Sequence, residues 1–181
     1  MTSLRTVRLV LRPCTPADRA DFLALERDPD VMRYLNGGNI VGDDRSDPDA
    51  PYLMPRGTEP HVWTARLAAT SDFVGWFTLW PDSDDEAELG YRLARAFWGQ
   101  GLATEGAAAL IRLGFDELGY ARIQASTMAV NLASRRVLEK LGMTHIRTEY
   151  IDWPDPIPGA AEGEVIYELI RTPDDLADPD L

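Results

Sequence analysis

The order in which strand-like and helix-like segments alternate limits this chain's fold more than any single motif does. Residues 88–93 and 122–127 alternate at period two, and between them, from Thr104 to near Gly119, Ala107, Leu110, Ile111 and Phe115 recur at helical spacing. Ahead of this trio the sequence predicts a strand over 7–12 stopped by Pro13, a helix opened by Thr15 and Pro16, and a short helix after Asp28 and Pro29. Strands over 62–68 and 73–80 then follow, joined through Thr70, Ser71 and Asp72. Behind the trio come a helix over 132–141, stopped by Gly142, and strands over 144–150 and 164–171. The run β, α, α, three strands, α, β, α, two strands predicts an α/β chain of α+β layout. Its sheet is mixed and flanked by helices, not doubly wound and parallel. A chain of 181 residues is one domain of ordinary size, and residues 1–171 are expected to form it.

Two stretches fall outside this periodicity. Residues 39–60 mix Asp43, Asp44, Asp47, Asp49 and Glu59 with four prolines; a loop of that length inside a domain is either functional or disordered, and both readings stay open. Residues 172–181 carry Asp174, Asp175, Asp178 and Asp180 and are expected to form a disordered acidic tail. Over the whole chain 18 basic residues face 30 acidic ones, a net charge of −12. That field repels phosphate backbones and anionic lipids, so neither nucleic acid nor membrane is an expected partner. No apolar run approaches the roughly 18 residues of a membrane span. Arg5, Arg8 and Arg12 interrupt the opening residues where a signal peptide would be apolar, and the expected location is cytoplasmic. Cys14 is the single cysteine, and His61 and His145 have no partner at ligand spacing, so no disulfide and no metal site is expected.

Chemistry concentrates where the strand ending at Leu93 leads through Trp98, Gly99, Gln100, Gly101, Leu102 and Ala103 into the helix beginning at Thr104. Glycines in a turn that opens a helix leave backbone N–H groups unpaired at the positive end of the helix dipole, which is an anion site suited to a pyrophosphate. A Walker loop requires Gly-Lys before Ser or Thr, and no lysine lies between residues 93 and 120. A dinucleotide fingerprint requires glycine where Thr104 stands. A tight turn with no ligand is the remaining alternative.

These residues resemble the GNAT superfamily of acetyl-CoA-dependent N-acetyltransferases, and within it the Rim-type enzymes that acetylate ribosomal-protein N-termini. Gly101 and Ala103 match the last two fixed positions of that family's phosphate loop, and Trp98 matches the subgroup's Trp-Gly-Gln-Gly-x-Ala-Thr-Glu variant. Arg8-Leu9-Val10-Leu11-Arg12, Asp28-Pro29-Asp30-Val31-Met32, Phe73-Val74-Gly75, Glu88-Leu89-Gly90-Tyr91 and the run 131–143 resemble subgroup signatures in the right order. The resemblance implies a central mixed sheet of six or seven strands flanked by about four helices, with a V-shaped splay between the strands at 88–93 and 122–127. Acetyl-CoA, the implied acetyl donor, would lie there. Backbone N–H groups near Tyr91 and Leu93 would bind its pantetheine arm, and Trp98, Gly99, Gln100, Gly101, Ala103 and Thr104 would form the phosphate loop.

Asn131 resembles the asparagine that fixes the pantetheine arm, and it also suits an N-cap. Many GNAT enzymes place a tyrosine acid where this chain has Leu138. Ser134 matches the serine that the Rim-type subgroup places near the sulfur, and is the expected donor to the departing thiolate. Glu88 is the expected general base; Glu105 suits the helix dipole for structural reasons alone. Arg135 and Arg136 either reach the 3′-phosphate of CoA or are solvated. The implied activity is direct transfer of acetyl to a primary amine, on a protein N-terminus or a small molecule, without a covalent enzyme intermediate. The alternative is a non-catalytic acyl-CoA-binding or interaction module on the same fold. Expected partners are the acetyl donor and a small-molecule or peptide amine, with a homodimer left open.

Overall fold

In a computed structural model, which describes residues 2–35, 57–152 and 156–172, eight strands form one sheet. They are β1 (Leu4–Arg5), β2 (Leu9–Pro13), β3 (Val62–Leu67), β4 (Phe73–Pro81), β5 (Glu86–Leu93), β6 (Arg122–Met128), β7 (Thr144–Glu149) and β8 (Glu164–Ile170). Their spatial order is β1-β2-β3-β4-β5-β6-β8-β7. Only β5 and β6 run parallel; the other neighbours are antiparallel, so the sheet is mixed as the element order predicts. The count exceeds the six or seven expected because the two-residue β1 adds itself to the edge, pairing Leu4 with Leu11. Most of the 39–60 segment (39–56), and the expected acidic tail beyond Thr172, lie outside the described residues.

Four α-helices are present among the described residues: α1 (Arg19–Glu26), α2 (Pro29–Met32), α3 (Leu102–Arg112) and α4 (Leu132–Lys140). Helix α3 begins two residues earlier than periodicity suggests, because Gly101 rather than Ala103 provides its N-cap, and it continues into a π turn at Leu113–Glu117. Its apolar face, with Ala107, Leu110 and Ile111, packs with Leu138 of α4 on the sheet side carrying Phe77, Leu79, Leu89 and Ile123. Contact there is close enough to require Gly106: a Cβ at that position would lie 2.3 Å from Phe77 Cζ.

Helix α1 with α2 covers the opposite face through Phe22, Leu25 and Val31 against Val62 and Trp76. Beneath them Arg92 of β5 pairs with Glu26 of α1, both buried, and the guanidinium stacks 5.0 Å from the Trp76 ring centroid. Thr15 and Asp18 form a capping box at the entrance to α1. Asp18 also receives two bonds from Arg12, at 2.8 and 2.6 Å. Cys14 is buried in this second cluster, and burial, with Glu59 adding like charge, pushes its thiol up to about 11. A thiol held protonated on the side of the sheet away from α3 is no nucleophile for the segment described next.

Candidate active site

The parallel pair β5 and β6 is paired over only three positions, Glu86 with Arg122, Ala87 with Ile123 and Glu88 with Gln124. Beyond them β5 stays on β4 as far as Leu93, opposite Gly75, while β6 stays on β8 as far as Met128, opposite Glu164. The two strands therefore part after Glu88 and open a wedge whose inner edges carry backbone N–H and C=O groups without a strand partner. This is the splay that the resemblance implies, between the strands it implies.

At the wide end of the wedge the chain turns into α3. Gly99 and Gly101 hold φ of +71° and +77°, and Gly101 is the N-cap. The N–H groups of Gly101, Leu102, Ala103 and Thr104 meet no backbone carbonyl; the ladder starts with Glu105 N–H on Gly101 O. Four donors thus face outward at the positive end of an eleven-residue helix. The side chains of Trp98 and Gln100 shape the turn itself: the indole N–H donates to Leu93 O at 2.7 Å and the Gln100 amide to Ala96 O at 2.8 Å. Of the loop residues read from the sequence, these two therefore have side chains engaged within the turn, and what they offer a ligand is backbone.

Arg8 is a residue that sequence reasoning missed here. It donates to Gln100 O at 2.8 Å and to the Glu105 carboxylate at 2.6 Å, and its own backbone N–H reaches the same carboxylate at 2.7 Å. Thr6 adds a hydroxyl bond at 2.6 Å. Burial alone would raise the pKa of Glu105, but these bonds from Thr6 and Arg8 lower it. The carboxylate beside the outward N–H groups is thus ionised and neutralised by a cation that also grips the turn.

Helix α4 lines the other side. Asn131 is its N-cap, its side-chain oxygen accepting from Ser134 N–H at 3.3 Å. Ser134 Oγ lies 2.9 Å from the Tyr91 hydroxyl, which is also 3.3 Å from the Ser134 carbonyl oxygen. The structure thus brings Tyr91 of β5 and Ser134 of α4 together. Burial pushes the Tyr91 phenol up to about 12, with the Ser134 bond pulling the other way. Leu138 is wholly in the core, so the position of the family's usual tyrosine is filled by packing. Arg135 is tied inward, to the Tyr167 hydroxyl and the Ala129 carbonyl, both at 3.2 Å, whereas Arg136 is exposed.

Glu88, the last residue of β5 paired with β6, sits at the vertex of the wedge between Trp80 and Gln124. Strand alternation puts it on the opposite face from Tyr91. Crowding by the surrounding protein raises its pKa, Glu164 and Asp82 add like charge, and a Ser126 hydrogen bond opposes them. Its side chain remains exposed, which keeps these charge effects screened. His61 packs edge-on against Trp80, with 5.7 Å between ring centroids, and His145 bonds Arg147 O and Thr148. Among the described residues no group of three or more His, Cys, Asp or Glu is placed to hold a metal ion, and no helix is long and apolar enough to cross a membrane.

The sequence profile of the acetyltransferase (GNAT) domain matches residues 8–144, more than half of the chain. The chain belongs to this family. It is therefore an enzyme, an acetyl-CoA-dependent N-acetyltransferase. A relative, the FsC-acetyl coenzyme A-N(2)-transacetylase of Aspergillus fumigatus, is 36% identical over 179 residues, spanning 93% of this chain and 76% of its own length. A GNAT-family acetyltransferase from Bacillus anthracis shares the fold with a TM-score of 0.76 at 21% identity, over 93% of this chain and 98% of its own. Mycobacterium smegmatis RimJ, solved in complex with CoA-disulfide, superposes with a TM-score of 0.69 at 18% identity, over 94% of this chain and 84% of its own. The GNAT membership accounts for the wedge and the glycine turn lying side by side.

Proposed function

We propose that this GNAT enzyme transfers acetyl directly to a primary amine in a ternary complex, with the amine arriving on the α1/α2 face of the sheet and the thiol departing on the α3/α4 face. One observation carries this reading: pairing of β5 with β6 stops at Glu88, so the wedge has a carboxylate at its vertex on one face and the Tyr91 and Ser134 hydroxyls on the other. The wedge and the outward N–H groups of the α3 turn suit acetyl-CoA, which supplies a thioester already activated toward amines. Gly101, Leu102, Ala103 and Thr104 would hold its pyrophosphate through backbone N–H groups, and the freed edge of β5 near Tyr91 and Leu93 its pantetheine arm, with Asn131 beside it. No lysine is needed for this grip, because several N–H dipoles share the charge.

Glu88 takes a proton from the attacking amine. A raised pKa improves a carboxylate for that task, since a stronger base matches an ammonium better. The N–H groups near Tyr91 and Leu93 stabilise negative charge developing on the acetyl oxygen. Ser134 hydrogen-bonds the departing sulfur; a hydroxyl is too weak an acid to protonate a thiolate whose conjugate acid has a pKa of about 8.5. The A. fumigatus relative is named for transfer to an N(2) position, which supports a nitrogen acceptor here. Glu88, Glu164 and Asp82 favour an acceptor that arrives as a cation.

The test is release of free thiol from acetyl-CoA against a panel of peptide N-termini, polyamines, amino acids and aminoglycosides. Amine-dependent release with stoichiometric N-acetyl product supports the reading. Saturable acetyl-CoA binding without release on any amine would instead identify a non-catalytic binding module.

A further inference from the structure

We infer that the Tyr91 side chain is a positioning residue for acetyl transfer: by donating its hydroxyl hydrogen to Ser134 Oγ, it leaves the Ser134 hydrogen free to point at the departing sulfur. The inference deepens the function proposed above and rests on it.

Three facts of geometry carry it. Tyr91 Oη is nearer to Ser134 Oγ, at 2.9 Å, than to the Ser134 carbonyl, at 3.3 Å. That carbonyl belongs to the ladder of α4, where the residue four positions on already donates to it. The Oγ is therefore the better acceptor for the phenol. A serine hydroxyl has one hydrogen and two lone pairs. Accepting from Tyr91 occupies a lone pair, and the hydrogen is left for a different acceptor. Finally, the Tyr91 ring packs from behind on the main core, its centroid 6.1 Å from that of Phe77, which restrains the hydroxyl beside Ser134.

The chemistry balances without a proton leaving either hydroxyl. The bond from nitrogen to the acetyl carbon forms, the bond from that carbon to sulfur breaks, and sulfur keeps the electron pair. The amine's proton goes to Glu88. Tyr91, at about 12, is a far weaker acid than a thiol at about 8.5, so its hydrogen stays on the phenol. As charge grows on sulfur, the Ser134 hydrogen is drawn toward it, Oγ becomes a stronger acceptor, and the Tyr91 bond tightens. A chain of two hydrogen bonds polarised in one direction stabilises the charge more than either alone. The position that carries an acid tyrosine in many GNAT enzymes is Leu138 here, and a phenol reaches the same helix from the neighbouring strand instead.

The experiment is a kinetic double-mutant cycle with the amine that the panel selects. Tyr91→Phe keeps the ring and its packing and removes one oxygen. We expect kcat to fall roughly three- to tenfold, the range of one hydrogen bond, with KM for acetyl-CoA changed less than about twofold. Ser134→Ala should lower kcat as well, and the double variant should match Ser134→Ala alone, because Tyr91 acts only through Ser134. Wild-type kcat in Tyr91→Phe overturns the inference, as does a loss that persists undiminished in the Ser134→Ala background or one that falls on KM. Failure of the wild-type chain to release thiol with any amine overturns the proposed function itself, and is read before any variant is made.

Discussion

Replacing Gly101 with valine separates the strain of the turn from its use. At φ +77° a β-branched side chain is held in the left-handed region, at a cost of about 1–3 kcal/mol. For a domain of this size each kcal/mol lowers the melting temperature by roughly 2–4 °C, so the apo variant should melt roughly 2–12 °C below wild type. It should still fold, because the nearest atom to the added Cβ is Arg8 Nη2 at 3.5 Å, an ordinary contact. Gly119→Val makes the strain control: φ is +79°, nothing lies within 4 Å of its Cβ, and it sits beyond the far end of α3. Both variants should lose similar stability, but only Gly101 caps α3 and adjoins its outward N–H groups. In wild type, acetyl-CoA at 100 times its dissociation constant adds about 2.7 kcal/mol, a rise of roughly 5–11 °C. Differential scanning fluorimetry with acetyl-CoA, ATP and NAD should show this rise for acetyl-CoA, its abolition in Gly101→Val, and its survival in Gly119→Val. A full acetyl-CoA shift in Gly101→Val would put the pyrophosphate somewhere other than the α3 N-terminus. Larger shifts with ATP or NAD would refute the choice of ligand.

Two further outcomes are expected. With Glu88 as base, kcat/KM for the amine should rise with pH along a limb set by its deprotonation, displaced upward from the ordinary glutamate value of 4.5. Glu88→Gln should lower kcat/KM roughly 10²- to 10⁴-fold and erase that limb, whereas an unchanged pH profile in the variant would make Glu88 a bystander. Burial alone would raise the carboxyl of Asp18, but bonds from Arg12 and Thr15 hold it at about 2, against 3.8 when free. A depressed pKa contributes stability above the unfolded value and loses it as pH falls through the folded one. Stability should therefore decline from about pH 4 to about pH 2, and Asp18→Asn should be less stable at neutral pH with a flatter acid limb. Parallel urea titrations of the two proteins that keep the same slope in that window would contradict the assignment.

What could be read ahead of the structure was local. Gly99 and Gly101 declare a left-handed turn before a helix, and strand alternation with helical spacing places the elements around it. The splay itself was legible only through resemblance, since no residue of 88–93 announces that its strand will leave its neighbour after Glu88. Contacts between distant segments were the part out of reach. Tyr91 and Ser134 meet because a strand diverges toward a helix, and Arg8 meets Glu105 because β2 passes under α3; neither partner's sequence neighbourhood encodes the other. The same limit applies to Arg135, which from its sequence is either a phosphate ligand or solvated, and in fact binds Tyr167 on the sheet beneath α4. Leu138 could be seen to depart from the family's tyrosine, but the phenol that meets Ser134 could be found only in three dimensions.

Arg8 and Glu105 cancel one another beside the phosphate cradle, and Arg95, just ahead of the turn, is held by Asp28 and Asp30. Capture of a polyanion at the proposed cradle would therefore be a short-range affair of peptide dipoles, set inside a molecule whose net charge is −12. Encounter and grip then respond oppositely to ions in solution. At low ionic strength the anionic donor must approach against the protein's own field, and added salt screens that repulsion over a Debye length of about 8 Å at 0.15 M. The dipoles at Gly101 to Thr104 act within a few ångströms and are hardly screened. Association should accordingly quicken with salt while dissociation stays nearly constant, so that this enzyme binds its donor better at about 0.15 M salt than in dilute buffer.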